Sequence, residues 1–171
     1  MWGEIAETLG GEFRGSGVLP YAVVLLRLLG AALLCGAIGF ERETTRHPAG
    51  LRTHMLVGLG AATFALVTLH VIENFAHRPD TIRMDPIRLV EAATAGVAFL
   101  AAGMIVLSRG QVRNLTTGAG LWLAASVGLA CGLGLWPLAL TVALLTLAIT
   151  LLRIGPGSGS GSGPEPPDTR S

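Results

Sequence analysis

The chain contains no lysine, one tyrosine and two cysteines, and only 13% of its 171 residues are charged. A soluble domain carries about 25% charged residues, so half of the usual solvating supply is missing. The net charge of +1 leaves no surplus for neutralising phosphates, which argues against a nucleic-acid binder. No HExxH, Walker loop, GxSxG or CxxC occurs, so no metalloprotease, nucleotide-driven pump, serine hydrolase or thiol-redox motif is present. The first residues do not read as a secretory leader, so the first apolar span is expected to be retained. Glu4, Glu7 and Glu12 precede the first basic residue, Arg14, where a basic segment would stand. What is abundant is apolar: 51% hydrophobic residues, 24 glycines and a mean hydropathy of +0.62. The composition is that of an integral membrane protein.

The charges are missing from particular places. Tyr21 to Phe40 is broken only by Arg27, Met55 to Ile72 holds a single histidine, and Ala92 to Leu107 carries no charge. Leu115 to Leu152 is 38 residues without a charge. One helix of that length would reach about 57 Å, too long for a hydrocarbon core of roughly 30 Å. Gly132, Gly134 and Pro137 near its middle divide it in two. The expected fold is therefore all-α: a polytopic membrane protein with five transmembrane helices near 20–40, 53–73, 88–107, 116–135 and 137–153. Residues 1–19 form an N-terminal segment, 20–153 the transmembrane domain and 154–171 a Gly/Ser/Pro tail too poor in apolar residues to build a core.

Arginine placement gives an orientation. Arg42, Arg46, Arg52, Arg109, Arg113, Arg153 and Arg170 fall on one side, and Arg14, Arg78, Arg83 and Arg88 on the other. The positive-inside bias puts the N-terminus outside and the C-terminal tail in the cytoplasm. Cys35 and Cys131 lie in different spans at expected depths about 10 Å apart, so two free, buried thiols are expected.

Few residues can carry chemistry. Arg27 lies about 10 Å into the first span, where a charge costs a few kcal/mol unless it pairs or snorkels. Glu91 lies at a similar depth in the third span. The two either form an intramembrane ion pair, or Arg27 snorkels outward and Glu91 caps a helix. The cytoplasmic side gathers a polar face of Glu41, Arg42, Arg52, Thr53, His54, Arg109, Asn114, Thr116 and Thr117. Such residues either anchor span ends to lipid phosphates or form a vestibule or docking surface. Glu41 can pair there with Arg52 or Arg109. Gly36, Gly39, Gly96, Gly103, Gly128 and Gly132 are expected to let helix backbones approach, within one chain or at a homodimer seam. Glu91 is the one carboxylate within the spans, too few for a magnesium cage. No metal, cofactor or catalytic residue is assigned, and no nucleophile–base set marks an enzyme.

The segments RLLGAALLCGAIGFERE (27–43), AGLRT (49–53), LVGLGAATF (56–64), GVAFLAAGMI (96–105) and VRNLTTGAGLWLAASVGLACGLG (112–134) together resemble the MgtC/SapB family of bacterial membrane proteins. The resemblance runs through residues 21–153 in order. It implies a multi-pass protein of the bacterial inner membrane with five helices, tied to magnesium homeostasis, low-magnesium adaptation and virulence. It also implies a regulatory action on a membrane-protein partner; a small cation channel or transporter is the alternative. Three departures stand out. His54 stands where the family often has Asn, Ala98 and Ala101 replace glycines, and a Gly-Ser tail stands where some members carry a folded C-terminal domain. The chain is similar to the short, SapB-like members.

Overall fold

A computed structural model describes residues 1–5, 7, 10, 18–76, 86–108 and 111–152. Five long helices follow one another: α1 (Tyr21–Thr44), α2 (Leu51–Ala76), α3 (Pro86–Met104), α4 (Leu115–Leu133) and α5 (Trp136–Leu151). Between α3 and α4 lies an antiparallel hairpin of β1 (Val106–Ser108) and β2 (Gln111–Arg113), with Leu107 opposite Val112. Tyr21–Thr44, Leu51–Glu73 and Leu115–Leu133 are long and apolar enough to cross a membrane. Val90–Met104 and α5 are shorter apolar helices. The chain is an all-α membrane protein. The third helix stops at Met104, three residues before the expected end, because the chain there turns into the hairpin. Residues 153–171, which include the whole expected tail of 154–171, lie outside the described residues.

The side chains are sorted by size as well as by polarity. Leu33, Leu56, Phe99 and Leu144 are 65% exposed or more, whereas the core is built mostly of small residues, Ala31, Cys35, Ala62, Ala124, Cys131 and Ala139, beside Ile38, Leu121 and Val127. Large apolar groups outside and small ones inside suit a lipid surround: lipid gives no hydrophobic drive between helices, so close packing must hold them. Cys35 and Cys131 are both buried free thiols.

Helix α4 is the centre and touches each of the other four helices. Its glycines set the distance. A Cβ on Gly128 would strike the Gly58 carbonyl of α2, and one on Gly132 would lie 2.5 Å from the Ala62 carbonyl oxygen. Helix α1 meets α2 in the same way: a Cβ on Gly39 would lie 2.8 Å from the Leu51 Cα, and one on Gly36 would press on Met55. Gly96 and Gly103 differ: a Cβ on either meets nothing within 4 Å. Both belong to the outer face of α3, the least embedded helix, and carry no helix contact within the chain.

The α4–α5 turn is held by α1. Gly134 is left-handed (φ 79°), and the N–H groups of Gly134 and Leu135 donate to the carbonyls of Cys131 and Ala130 at 2.9 and 2.8 Å. This closure satisfies two of the last carbonyls of α4. Arg27 takes a third: its Nη1 donates to the Gly132 carbonyl at 2.8 Å, from beside the helix's negative dipole end. The indole of Trp136 covers Gly30 one turn further along α1. Pro137 falls in the first turn of α5, where its missing N–H costs no hydrogen bond.

The expected Arg27–Glu91 ion pair is corrected by this geometry. Glu91 is exposed on α3, and no ion pair joins it to Arg27 among the described residues. The reason is distance between elements, since α1 and α3 have next to no contact across the bundle. Arg27 meets a helix terminus through Nη1 rather than a carboxylate, and its buried Nε has no hydrogen-bond partner among the described residues.

Two outcomes follow. Gly128→Ala is expected to lower stability by roughly 1–3 kcal/mol through backbone overpacking, while Gly96→Ala leaves it unchanged or slightly higher. Helicity followed during detergent unfolding checks this, and equal losses in the two variants would refute the packing assignment. Arg27→Met is expected to cost about 1–2 kcal/mol by uncapping α4, and Glu91→Gln nothing measurable. A loss in Glu91→Gln alone that disappears in the Arg27→Met background would restore the ion pair.

Candidate functional site

Four chain segments converge where α1 ends, α2 and α4 begin and α3 closes. The turn after α1 is tightly specified. Thr45 N–H donates to the Glu41 carbonyl at 3.2 Å, Arg46 adopts φ 57° and ends the helix, and Thr45 Oγ1 meets His47 Nδ1 at 2.7 Å. Glu43 reaches across this turn and accepts the Leu51 N–H at 2.8 Å, capping the start of α2. An acidic cap suits the positive end of a helix. Asn114 is left-handed (φ 64°) and its Nδ2 donates to the Met104 carbonyl at 3.1 Å, so it ties the end of α3 to the start of α4.

Inside this frame lie polar groups with unmet bonding capacity. His54 is fully buried, Thr117 is 1% exposed and Arg42 is 9% exposed. His54 Nδ1 is 2.9 Å from the Gly50 carbonyl, which assigns that nitrogen the proton and leaves Nε2 facing inward. Arg42 Nε is 3.6 Å from Glu41 Oε2, a charge contact longer than a hydrogen bond. Among the described residues Glu41 Oε2, Arg42 Nε, His54 Nε2 and Thr117 Oγ1 all lack a hydrogen-bond partner. Native structures rarely leave such atoms without a protein, water or ion partner.

The focus of the cluster is a missing side chain. A methyl group on Gly120 would lie 3.4 Å from His54 Nε2 and 3.9 Å from both Nε and Nη2 of Arg42. A cavity of about 150 Å³ begins at Arg42 and Gly120 and runs outward between α4 and α5, past Thr116, Leu123, Thr146 and Thr150. Its Thr146 and Thr150 hydroxyls donate to the carbonyls of Val142 and Leu147, leaving their oxygens free to accept.

The structure divides the expected polar face. It gathers Glu41, Arg42, His54 and Thr117 into one buried cluster and leaves Arg52 and Thr116 exposed. Thr53 and Asn114 are half-buried, and Arg109 lies outside the described residues. Glu41 faces its neighbour Arg42, and no ion pair joins it to Arg52. Glu43 carried no sequence signal, because a cap eight residues ahead depends on the intervening turn. Gly120 did carry one: it stands three residues after Thr117, on the same face of α4. Among the described residues no group of three or more His, Cys, Asp or Glu could hold a metal ion.

The MgtC family model matches residues 28–154. The chain is 36% identical to YhiD of Escherichia coli (strain K12) over 125 residues, covering 73% of this chain and 58% of that protein. It is 41% identical over 116 residues to the MgtC protein of Brucella abortus (strain 2308), covering 68% and 45%. With the MgtC protein of Salmonella typhimurium (strain 14028s) identity is 38% over 128 residues, covering 75% and 50%. The chain spans about half the length of the curated relatives it matches. No solved structure matches it. The family model spans α1 to α5 and includes both the Arg27-capped turn and the Gly120 cluster apart from Arg27 itself, and the chain belongs to the MgtC family.

Proposed function

We propose that the protein is a non-enzymatic regulatory factor of the bacterial inner membrane. It acts in magnesium homeostasis or low-magnesium and stress adaptation through a membrane-protein partner. The observation that carries this reading is the closed interior. The α2–α4 seam is backbone against backbone at Gly58 and Gly128 and at Ala62 and Gly132. Polar groups collect at the two ends of the bundle, at Arg27 and at the Gly120 cluster, and the core between them is apolar, mostly Ala, Gly and Cys with Ile38, Leu121 and Val127. Such an interior supports a protein that presents surfaces rather than one that conducts. The exposed Arg52, Arg113 and Thr116 beside the cluster supply a contact face for a partner. The arginine bias supports a cytoplasmic position for that face, with the N-terminus outside.

The rival reading is a small magnesium or other cation transporter. It is favoured by YhiD, which is provisionally named a magnesium transporter. In that reading exposed Glu91 would line a path formed between copies. Purified protein in liposomes loaded with a magnesium-sensitive dye is expected to give no flux above empty vesicles. Photo-crosslinkers at positions 52 and 113 are expected to trap one membrane-protein partner in native membranes. Magnesium flux abolished by Glu91→Gln would overturn the regulatory reading. A fluorescent protein fused after residue 152 is expected to fluoresce, and alkaline phosphatase there to stay inactive; the reverse would invert the orientation.

A further inference from the structure

The buried cluster at Gly120 has a geometry that neither structural packing nor the regulatory reading requires. The Nε and Nη2 atoms of Arg42 are equidistant, at 3.9 Å, from the Gly120 methyl position. Arg42 therefore turns its Nε–Nη2 edge, one of the two-pronged faces of a guanidinium, toward the gap that the glycine leaves. That edge fits two oxygens of one phosphate or carboxylate group. Its Nε has no hydrogen-bond partner, and Glu41 at 3.6 Å balances charge without taking the proton.

Further donors lie alongside. Thr117, three residues before Gly120 on α4, is 1% exposed and its hydroxyl is without a partner among the described residues. The first turn of α4, a 19-residue helix, has no side-chain cap. Asn114, at its N-cap, spends its amide on Met104 instead. Uncapped N–H groups and the positive dipole end favour an anion there. The way in is the cavity between α4 and α5, which passes Leu123 and Ile149 and opens on the outer face, where Ile149 is 66% exposed. Polar at its inner end and apolar at its mouth, this passage suits a group that enters from the lipid–water boundary.

We infer that Arg42, Thr117, the gap at Gly120 and the first turn of α4 form a binding site for a phosphate oxyanion. The source is either the headgroup of an anionic phospholipid, its chains over Leu123 and Ile149, or free phosphate. Glu41 opposes the anion and tunes the site: it keeps Arg42 balanced when no anion is present and weakens binding when one is. His54 Nε2 accepts a proton from a protonated phosphate oxygen or from a bridging water.

The full chain, purified in maltoside detergent, tests this with two probes. Inorganic phosphate is titrated by calorimetry, and phosphatidylglycerol adducts are counted by native mass spectrometry against phosphatidylcholine. At least one probe is expected to bind the wild type. Phosphate alone identifies the free ion, and preferred phosphatidylglycerol adducts identify the headgroup. Gly120→Ala fills the gap at ordinary contact distances, so the protein should keep its helicity and lose binding about tenfold, as should Arg42→Lys, which keeps the charge but not the two-pronged edge. Glu41→Gln is expected to tighten binding. No binding of either probe, or binding equal in wild type, Gly120→Ala and Arg42→Lys, overturns the site. Should Arg42→Lys fail to fold, Gly120→Ala and Glu41→Gln decide alone.

Discussion

The approach of two backbones at the α2–α4 seam governs the molecule. Lipid chains are as apolar as leucine, so burying leucine between helices gains little in a bilayer, and contact at short range must supply the attraction. Gly128 against Gly58 and Gly132 against Ala62 bring the helices close enough for that. Once the seam closes, α4 becomes the axis and the rest is placed by it. Cys35 Sγ of α1 reaches the Ala124 carbonyl at 3.2 Å, α5 returns along α4 after a two-residue turn, and α3 lies against the side left over. Most of the large apolar side chains face outward, and Ile38, Leu121 and Val127 fill the interior beside the small ones.

A closed interior dictates where charge can go. Arg27 cannot enter the Ala/Gly/Cys core, and its solution is the end of α4, where carbonyls carry partial negative charge without bringing a second ion into the membrane. A carboxylate partner would have to be desolvated too, at a cost that can exceed the gain. The opposite end of the bundle uses another arrangement. There Glu43 and Asn114 fasten the turns by side-chain hydrogen bonds, and Arg42, Glu41 and His54 are packed beneath them. One end is thus locked by a cap, with Arg27 Nε left over, and the other holds four such atoms with capacity to spare.

Much of this was legible in the residues. Apolar runs placed the helices because spanning length and charge exclusion are local properties, and Gly134 with Pro137 marked the last turn because both act on their own backbone. The hairpin at 106–113 was not legible, since Val106–Ser108 and Gln111–Arg113 are too short to show an alternating pattern. The partner of Arg27 was not legible either. Depth in the membrane suggested Glu91, but helix order around the bundle decides who meets whom, and α1 sits beside α4, not α3. The polar residues near 41–54 and 114–117 stood out in the sequence. Which of them turn inward did not, because it depends on the rotation of each helix about the seam.

Gly120 shows why that rotation matters. Gly120, Ala124, Gly128 and Gly132 recur at intervals of four and form one stripe on α4. At Gly128 and Gly132 the stripe is pressed against the backbone of α2, and a methyl group there collides. At Gly120 a methyl group would meet only side-chain atoms at 3.4 and 3.9 Å, ordinary contact distances. Backbone approach therefore demands glycine at the first two positions and not at the third. Helix propensity would favour alanine over glycine at 120 by up to about 1 kcal/mol. A glycine held against that preference, beside an arginine edge and a histidine nitrogen without partners, keeps space rather than contact. Space bordered by polar atoms is what a small polar ligand or ordered water needs, and what a helix seam does not.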